Sequence, residues 1–205
     1  MKIKVCGIRN QSNLAFLNAG EVDFIGFIFY AKSARNFEDG DIKNSIHSTK
    51  KKVGVFVNES LDQIMQIAER HELDYLQLHG DESPEYCLKL KNKGFGLIKA
   101  FAIQNALPDD LKSYESVVDY FLFDTKGASY GGNGTQFDWT VLSQYNLEKP
   151  FILSGGIGPD DVEMIKHLEH PKLFAIDVNS RFEIAPGEKD EQKLKVFFEE
   201  LKSKR

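Results

Sequence analysis

The sequence contains little cysteine and no long apolar run. Cys6 and Cys87 are the only cysteines among 205 residues, which excludes a disulfide framework as the organising principle of the fold. Two isolated thiols favour a reducing compartment. No stretch approaches the roughly 18 to 20 apolar residues that a membrane-spanning helix needs, and the first residues enter a strand-like pattern without the features of a signal peptide. We therefore predict a cytoplasmic protein with no membrane partner.

Basic charge is also scarce. The chain has 26 lysines and arginines against 31 acidic residues, a formal net charge of −5. Lysines are interleaved with acids, so no basic stripe is long enough to follow a nucleic-acid backbone. We expect no nucleic-acid partner. A small anionic substrate remains compatible with this balance, because a few local donors can bind it whatever the global charge.

Eight short apolar runs recur along the chain, most of them rich in β-branched or aromatic residues. Such nearly continuous runs are typical of parallel strands that are covered on both faces. The runs are residues 3–6, 24–29, 53–57, 75–78, 96–101, 120–123, 151–153 and 173–176.

Helical spacing fills the segments between the runs, as in Leu61, Ile64 and Ala68. Eight strands that alternate with helices predict a (β/α)₈ TIM barrel, one domain over residues 1–205, with its active site at the carboxyl ends of the strands. An open doubly wound sheet is the alternative, because alternation alone does not show that the sheet closes. The absence of Gly-x-Gly-x-x-Gly after the first run argues against a dinucleotide-binding fold.

Cys6 ends the first run, where a thiol can serve as nucleophile or base. Lys4 lies two residues earlier on the same face, and its charge would lower the thiol pKa, whereas burial would raise it. The alternative is a small buried apolar residue. Cys87 falls inside a helical pattern, so we interpret it as core packing.

Asp124 ends the sixth run, and the apolar residues before it suit its carboxyl to act as a general acid. The alternative is an aspartate that caps the next turn. Arg35 follows the second run and could bind a carboxylate with its guanidinium fork, or lie solvated in a loop. His79 alone among the histidines ends a strand, so a histidine-based metal centre lacks ligands and we predict no metal.

Phosphate is expected at the loops after the seventh and eighth runs, the usual phosphate site of this fold. The candidates there are Gly155, Gly156, Asn179 and Ser180, although a Gly-Gly pair can also be a simple tight turn. The glycine-rich segment 127–134 predicts a mobile loop at the active site.

Taken in order, these segments closely resemble the phosphoribosylanthranilate isomerase family over nearly the whole chain. The matching segments are 4–9, 26–30 with Lys32, Ser33 and Arg35, 53–58, 77–82, 123–124, 131–132 with Gly134, 137–139, 153–157 and 176–178.

The resemblance implies the third step of tryptophan biosynthesis, the Amadori rearrangement of N-(5-phosphoribosyl)anthranilate to 1-(2-carboxyphenylamino)-1-deoxyribulose 5-phosphate. It implies that Cys6 is the general base and Asp124 the general acid, and that Arg35 faces the anthranilate carboxylate. His79 and Asp177 are expected to contact the substrate. The iminium intermediate is itself the electron sink, so no metal or organic cofactor is expected, and we predict a monomer or a homodimer.

The chain departs from the family pattern at three places. Ala31 and Ala34 stand where prolines are usual, which predicts a less stiff loop around Arg35. Asn133 and Thr135 change the glycine-rich loop and therefore its ligand contacts. The sequence 179–181, Asn-Ser-Arg, replaces a more usual Ser-Ser-Gly, and Arg181 either adds charge at the phosphate or points to solvent.

Three rival functions fit the sequence less well. An indole-glycerol-phosphate synthase would use lysine and glutamate as acid and base, where this chain has Asp124 and Cys6. A ribulose-phosphate epimerase would need histidine and aspartate metal ligands. A catalytically silent phosphosugar-binding barrel is disfavoured because Cys6 and Asp124 are both present.

Overall fold

The computed structural model describes residues 1–38, 40, 42–127 and 136–203. Eight parallel strands pair in chain order and close into a barrel. Closure comes from the first and last strands, where Val5 pairs with Val178. The barrel is therefore confirmed over the open sheet. Its strands are β1 Lys2–Val5, β2 Phe24–Ile28, β3 Lys51–Phe56, β4 Tyr75–Leu78, β5 Gly96–Ile103, β6 Tyr120–Thr125, β7 Phe151–Leu153 and β8 Leu173–Val178.

Seven α-helices are described around the strands, and their ends follow local sequence signals. The Ser60 side chain caps its helix by accepting a bond from the Gln63 N–H, and Ser83 caps another with Pro84 in the first turn. Gly20 ends the first helix, as predicted. The helices are α1 Gln11–Ala19, α2 Ile42–Ser45, α3 Leu61–His71, α4 Pro84–Lys91, α5 Leu111–Tyr114, α6 Val162–His167 and α7 Glu191–Lys202.

Other elements depart from strict alternation. The segment after β6 is a 3₁₀ helix, Trp139–Gln144, and shorter 3₁₀ turns lie at Pro159–Asp161 and Ser180–Phe182. Two strands follow β8 that the apolar runs did not predict. These are β9, Glu183–Ala185, and β10, Glu188–Lys189, which pair antiparallel as a hairpin.

The barrel interior changes from apolar to polar along its axis. Its amino-terminal part is filled by a cluster of apolar and aromatic side chains, separate from the larger core between strands and helices. Nearer the carboxyl ends, the buried side chains of Lys4, Gln77 and Asp177 lie on strands β1, β4 and β8. An apolar floor therefore lies beneath a buried polar layer. The floor residues are Phe24, Val53, Ile98, Ala100, Leu122, Ile152 and Ala175.

Both cysteines are buried free thiols. Cys87 lies within α4 and has no exposed surface, in agreement with its interpretation as core packing. No helix in the described part of the chain is long and apolar enough to cross a bilayer. Nearly all of the glycine-rich segment, and with it Asn133 and Thr135, lies outside the described residues.

Candidate active site

A cavity of about 1020 Å³ opens at the carboxyl ends of the strands. Three of the predicted site residues line it together, namely Arg35, His79 and Asp124. Cys6 and Asp177 are not among its described lining residues and lie in the buried polar part of the barrel interior, 4% and 6% exposed. The predicted acid and the predicted carboxylate-binding residue thus share one cavity.

His79 and Asp124 form a direct contact between strands β4 and β6. Nε2 of His79 lies 3.2 Å from Oδ2 of Asp124, and Nδ1 lies 3.0 Å from the side-chain nitrogen of Gln77. An amide nitrogen can only donate, so in this arrangement Nδ1 accepts and the neutral imidazole donates from Nε2 to Asp124. The sequence predicted His79 and Asp124 separately, but not their contact or the role of Gln77.

The turn that carries His79 is held by a buried ion pair. Lys99 and Glu82 approach to 3.1 Å, with side chains only 3% and 2% exposed. Lys99 also donates to the Gly80 carbonyl at 2.7 Å, while Glu82 accepts from the Gly80 N–H at 3.0 Å. Both backbone hydrogen-bonding groups of Gly80, the residue after His79, are therefore bound, one by Lys99 of strand β5 and the other by Glu82 in the segment before helix α4, which fixes the path of the turn.

Cys6 lies beside a second buried ion pair. Nζ of Lys4 donates to both carboxylate oxygens of Asp177 at 3.0 Å, and the Ser154 hydroxyl donates to the same carboxylate at 3.4 Å. Burial acts to lower the pKa of Lys4, but the interactions of its ammonium with Asp177 and Cys6 outweigh burial and raise that pKa, so Lys4 stays protonated. Asp177, expected to contact substrate, has Lys4 as its partner here.

The surroundings of Cys6 act on its thiol in opposite directions. Burial raises the pKa of Cys6, and the nearby Lys4 and Lys189 charges lower it without cancelling the effect of burial. The sequence predicted two opposing effects on the pKa of Cys6, a lowering by Lys4 and a raising by burial. Both are present, and the effect of burial is the larger.

Gly26 makes room for this arrangement. An added Cβ at this position of β2 would lie 2.8 Å from the Cys6 sulfur and 3.2 Å from Nζ of Lys4. Strand glycines often mark such close approach. Within the apolar run the residue has no distinguishing spacing, so its role follows only from the pairing of β2 with β1, which brings Gly26 beside Cys6.

Arg35 is already paired with a carboxylate. Its Nε and Nη2 donate to Glu183 of β9, and the shortest contact is 2.6 Å. Lys189 of β10 approaches the same carboxylate to 2.7 Å. No sequence pattern indicated Glu183 and Lys189, because strands of two and three residues show almost no periodicity.

The two glycines after β7 have left-handed backbones, with φ of +92° at Gly155 and +67° at Gly156. An added Cβ at Gly155 would lie 2.3 Å from the Thr125 hydroxyl. The Asn179 side-chain oxygen accepts from Lys189 at 2.6 Å, and Ser180 begins a 3₁₀ turn. Gly155 therefore permits a tight approach between the loop and the end of β6.

Arg181 is exposed, and its Nε would lie 3.2 Å from a Cβ at Gly158. It thus extends over the turn that precedes the 3₁₀ segment Pro159–Asp161. Among the described residues, no group of three or more His, Cys, Asp or Glu side chains is arranged to hold a metal ion.

Comparison with known proteins agrees over the whole chain. The model of a family described as N-(5'-phosphoribosyl)anthranilate (PRA) isomerase matches residues 3–200. The N-(5'-phosphoribosyl)anthranilate isomerase of Parabacteroides distasonis is 48% identical over 208 residues, which cover 98% of this chain and 93% of the relative.

Solved structures give the same result. The phosphoribosyl anthranilate isomerase of Thermotoga maritima superposes with a TM-score of 0.85 at 32% identity and full coverage of both chains. A phosphoribosyl anthranilate isomerase in complex with reduced 1-(o-carboxyphenylamino)-1-deoxyribulose 5-phosphate gives 0.81 at 30%, also over both full chains. The predicted resemblance is confirmed, and the chain belongs to the N-(5'-phosphoribosyl)anthranilate isomerase family of enzymes.

Proposed function

We propose that the chain rearranges N-(5-phosphoribosyl)anthranilate to 1-(2-carboxyphenylamino)-1-deoxyribulose 5-phosphate, with Asp124 as general acid and Cys6 as general base. Family membership supports the reaction. The observation that carries the residue roles is the arrangement at the carboxyl ends of the strands, with Asp124 in the cavity and Cys6 in the polar layer. Acid and base thus come from strands on different sides of the barrel.

In the first step, Asp124 gives its proton to the ring oxygen of the ribose. The bond between C1 and that oxygen breaks, and the nitrogen lone pair forms the iminium, an open-chain Schiff base. The contact of 3.2 Å with His79 keeps the Asp124 carboxyl oriented. Positioned proton transfer of this kind contributes about two to four orders of magnitude in rate.

Gln77 can support both protonation states of Asp124. In the present arrangement its amide donates to His79, and the imidazole donates to an ionised Asp124. A half-turn of the amide would place its oxygen against Nδ1, which would then donate to it, and Nε2 would accept a hydrogen bond from a neutral Asp124. Within the described residues the Gln77 oxygen is buried without a partner, so such a half-turn breaks no hydrogen bond of that oxygen.

In the second step, the Cys6 thiolate removes the proton from C2. The C–H electrons form the C1–C2 double bond, and the iminium electrons return to nitrogen to give an enolamine. Tautomerisation then gives the ketone at C2. The iminium nitrogen accepts the electrons released at C2, so we propose no metal or organic cofactor. Lys4 supplies positive charge beside the sulfur.

The substrate's own charges would fix its orientation. We assign its carboxylate to Arg35 and its phosphate to Gly155, Gly156, Asn179 and Ser180. The side-chain oxygen of Asn179 is engaged by Lys189, so backbone N–H groups are the expected phosphate donors there. His79 and Asp177 are proposed to lie beside the sugar.

Three coarser expectations accompany this proposal. We take residues 1–205 as one domain, assign the enzyme to the cytoplasm, and expect a monomer or a homodimer. Small phosphosugars are the proposed partners, as in the related solved complex with a reduced phosphosugar product analogue.

Turnover of freshly generated phosphoribosylanthranilate tests the acid assignment. The reaction is followed through loss of its anthranilate-type fluorescence. Asp124→Asn retains the shape of the side chain but has no transferable proton, so kcat should fall by about two to four orders of magnitude. A variant that lost only affinity, with kcat unchanged, would show that Asp124 binds substrate and that another group is the acid.

A further inference from the structure

Glu183 holds Arg35 from the side of the β9–β10 hairpin. Nε of Arg35 lies 2.9 Å from each carboxylate oxygen, and Nη2 lies 2.6 Å from Oε2. The two side chains are 15% and 5% exposed. This two-point contact fixes the plane of the guanidinium as well as its position.

One edge of the guanidinium is used by Glu183, and the other is not. Among the described residues, Nη1 of Arg35 makes no hydrogen bond, whereas Nε and Nη2 both do. Arg35 also lines the cavity. A guanidinium can engage a second carboxylate through Nη1 and the remaining Nη2 proton.

We propose that Glu183 is a positioning residue, which orients Arg35 so that its second edge receives the aryl carboxylate of the substrate. The inference rests on the proposed function, because that function supplies the carboxylate. Glu183 does not itself touch the substrate and acts through Arg35.

The charges of the hairpin fit this role. Lys189, whose side chain has no exposed surface, lies 2.7 Å from Glu183. Burial would raise the pKa of Glu183, but the bond from Arg35 and the Lys189 charge lower it, so it stays ionised. Burial lowers the pKa of Lys189, and the Glu183 charge opposes that shift. With Lys189 protonated, Arg35 and Lys189 carry one positive charge more than Glu183, so this group of three side chains complements one substrate carboxylate.

Further hydrogen bonds hold the β9–β10 hairpin in place around the contact between Glu183 and Lys189. The Lys189 N–H donates to Asn13 of α1 at 2.7 Å, and the Lys189 ammonium reaches Asn179, just after β8, at 2.6 Å. The Gly187 N–H adds a bond to Glu183 at 3.1 Å. A buried ion pair contributes little net stability, because removing its charges from water costs free energy. We therefore attribute these contacts of the hairpin to the orientation of Arg35 rather than to stability.

The test compares two ligands that differ only in the carboxylate. One is reduced 1-(o-carboxyphenylamino)-1-deoxyribulose 5-phosphate, and the other is the same compound with a plain phenyl ring. Calorimetric titration at fixed salt gives the dissociation constant of each ligand. The ratio of the two constants measures the preference for the carboxylated ligand. Glu183→Asp keeps the charge but is one methylene too short for the two-point contact. We expect it to reduce the preference about tenfold through the carboxylated ligand alone, because a misplaced guanidinium loses roughly one charge-assisted hydrogen bond to that carboxylate.

Glu188→Asp is the matched control, since Glu188 is exposed on the same hairpin, and its preference should equal that of the parent. A Glu183→Asp variant that keeps the parent preference, or that loses affinity for both ligands equally, would overturn the positioning role. No preference in the parent would instead remove the carboxylate from Arg35, and the proposed function would fail with it.

A double-variant cycle tests whether Glu183 acts through Arg35. Arg35→Lys alone should lower the preference, and adding Glu183→Asp should lower it no further, because both changes remove one interaction. Independent, multiplied losses would show that Glu183 acts by another route and would contradict the proposal. The KM of the natural substrate should rise in Glu183→Asp while kcat stays within about threefold of the parent, as expected for lost binding alone.

Discussion

As the proposed base, Cys6 must ionise within a buried site, and its neighbours decide how easily it does so. Burial raises its pKa, while the ammonium of Lys4, held by Asp177, opposes the rise. Gly26 leaves the space in which sulfur and ammonium meet. The basicity of Cys6 therefore depends on three residues from three strands.

The direction of this pKa shift can be measured. In a Cys87→Ser background, the ultraviolet absorbance of the Cys6 thiolate should appear at a pH above about 8.5, the ordinary value for a thiol. Lys4→Gln removes the opposing charge, so its titration should move to still higher pH. Subtraction of the Cys6→Ser/Cys87→Ser double variant removes the tyrosine signal. A midpoint below the ordinary value, or one that Lys4→Gln lowers, would contradict the account.

Sequence position identified the residues that end strands, and it did not identify the residues that support them. Cys6, His79 and Asp124 each follow an apolar run, so the rule for barrel active sites finds them. Gln77 and Gly26 lie inside such runs. The sequence of an apolar strand does not show which residues it contacts in the folded barrel. Their roles depend on strand register, which no local pattern shows.

The loops after β7 and β8 were predicted from their place in the fold, whereas the β9–β10 hairpin was not. Gly155 and Gly156 follow a clear strand, and their positive φ angles fit a close approach of backbone to phosphate. Glu183 and Lys189 sit in strands of three and two residues. Such short strands owe their pairing to tertiary contacts rather than to local propensity.

A valine at Gly156 tests the phosphate loop. The left-handed backbone and the added branches should together block the close approach, so Gly156→Val should weaken calorimetric binding of the phosphorylated product analogue by about tenfold or more. The dephosphorylated analogue should already bind poorly to the parent.

Gly94→Val is the matched control for backbone strain. Gly94 has a φ of +92° with no atom within 4 Å of an added Cβ, and it lies in the turn between α4 and β5. It should retain phosphate-dependent binding. Equal affinity of the parent for both analogues would remove the phosphate from this loop and weaken the proposed function.

Closure of the barrel brings residues of the first and last strands together. Alternation of strands and helices predicted eight parallel strands but was equally compatible with an open sheet. The pairing of β1 with β8 sets Lys4 opposite Asp177, so the ion pair beside Cys6 exists only because the first and last strands are neighbours. The same closure would allow the proposed acid on β6 and the proposed base after β1 to serve one substrate.

Loss of the base tests this account most directly. Cys6→Ser should reduce turnover of freshly generated phosphoribosylanthranilate by about two to four orders of magnitude, because an alcohol is a far weaker base than a thiolate. The variant should bind the product analogue about as tightly as the parent does. Cys87→Ser is the control, because it changes a cysteine that packs in the core, and it should retain the turnover of the parent. Near-normal turnover by Cys6→Ser would contradict the assignment of Cys6 as the base.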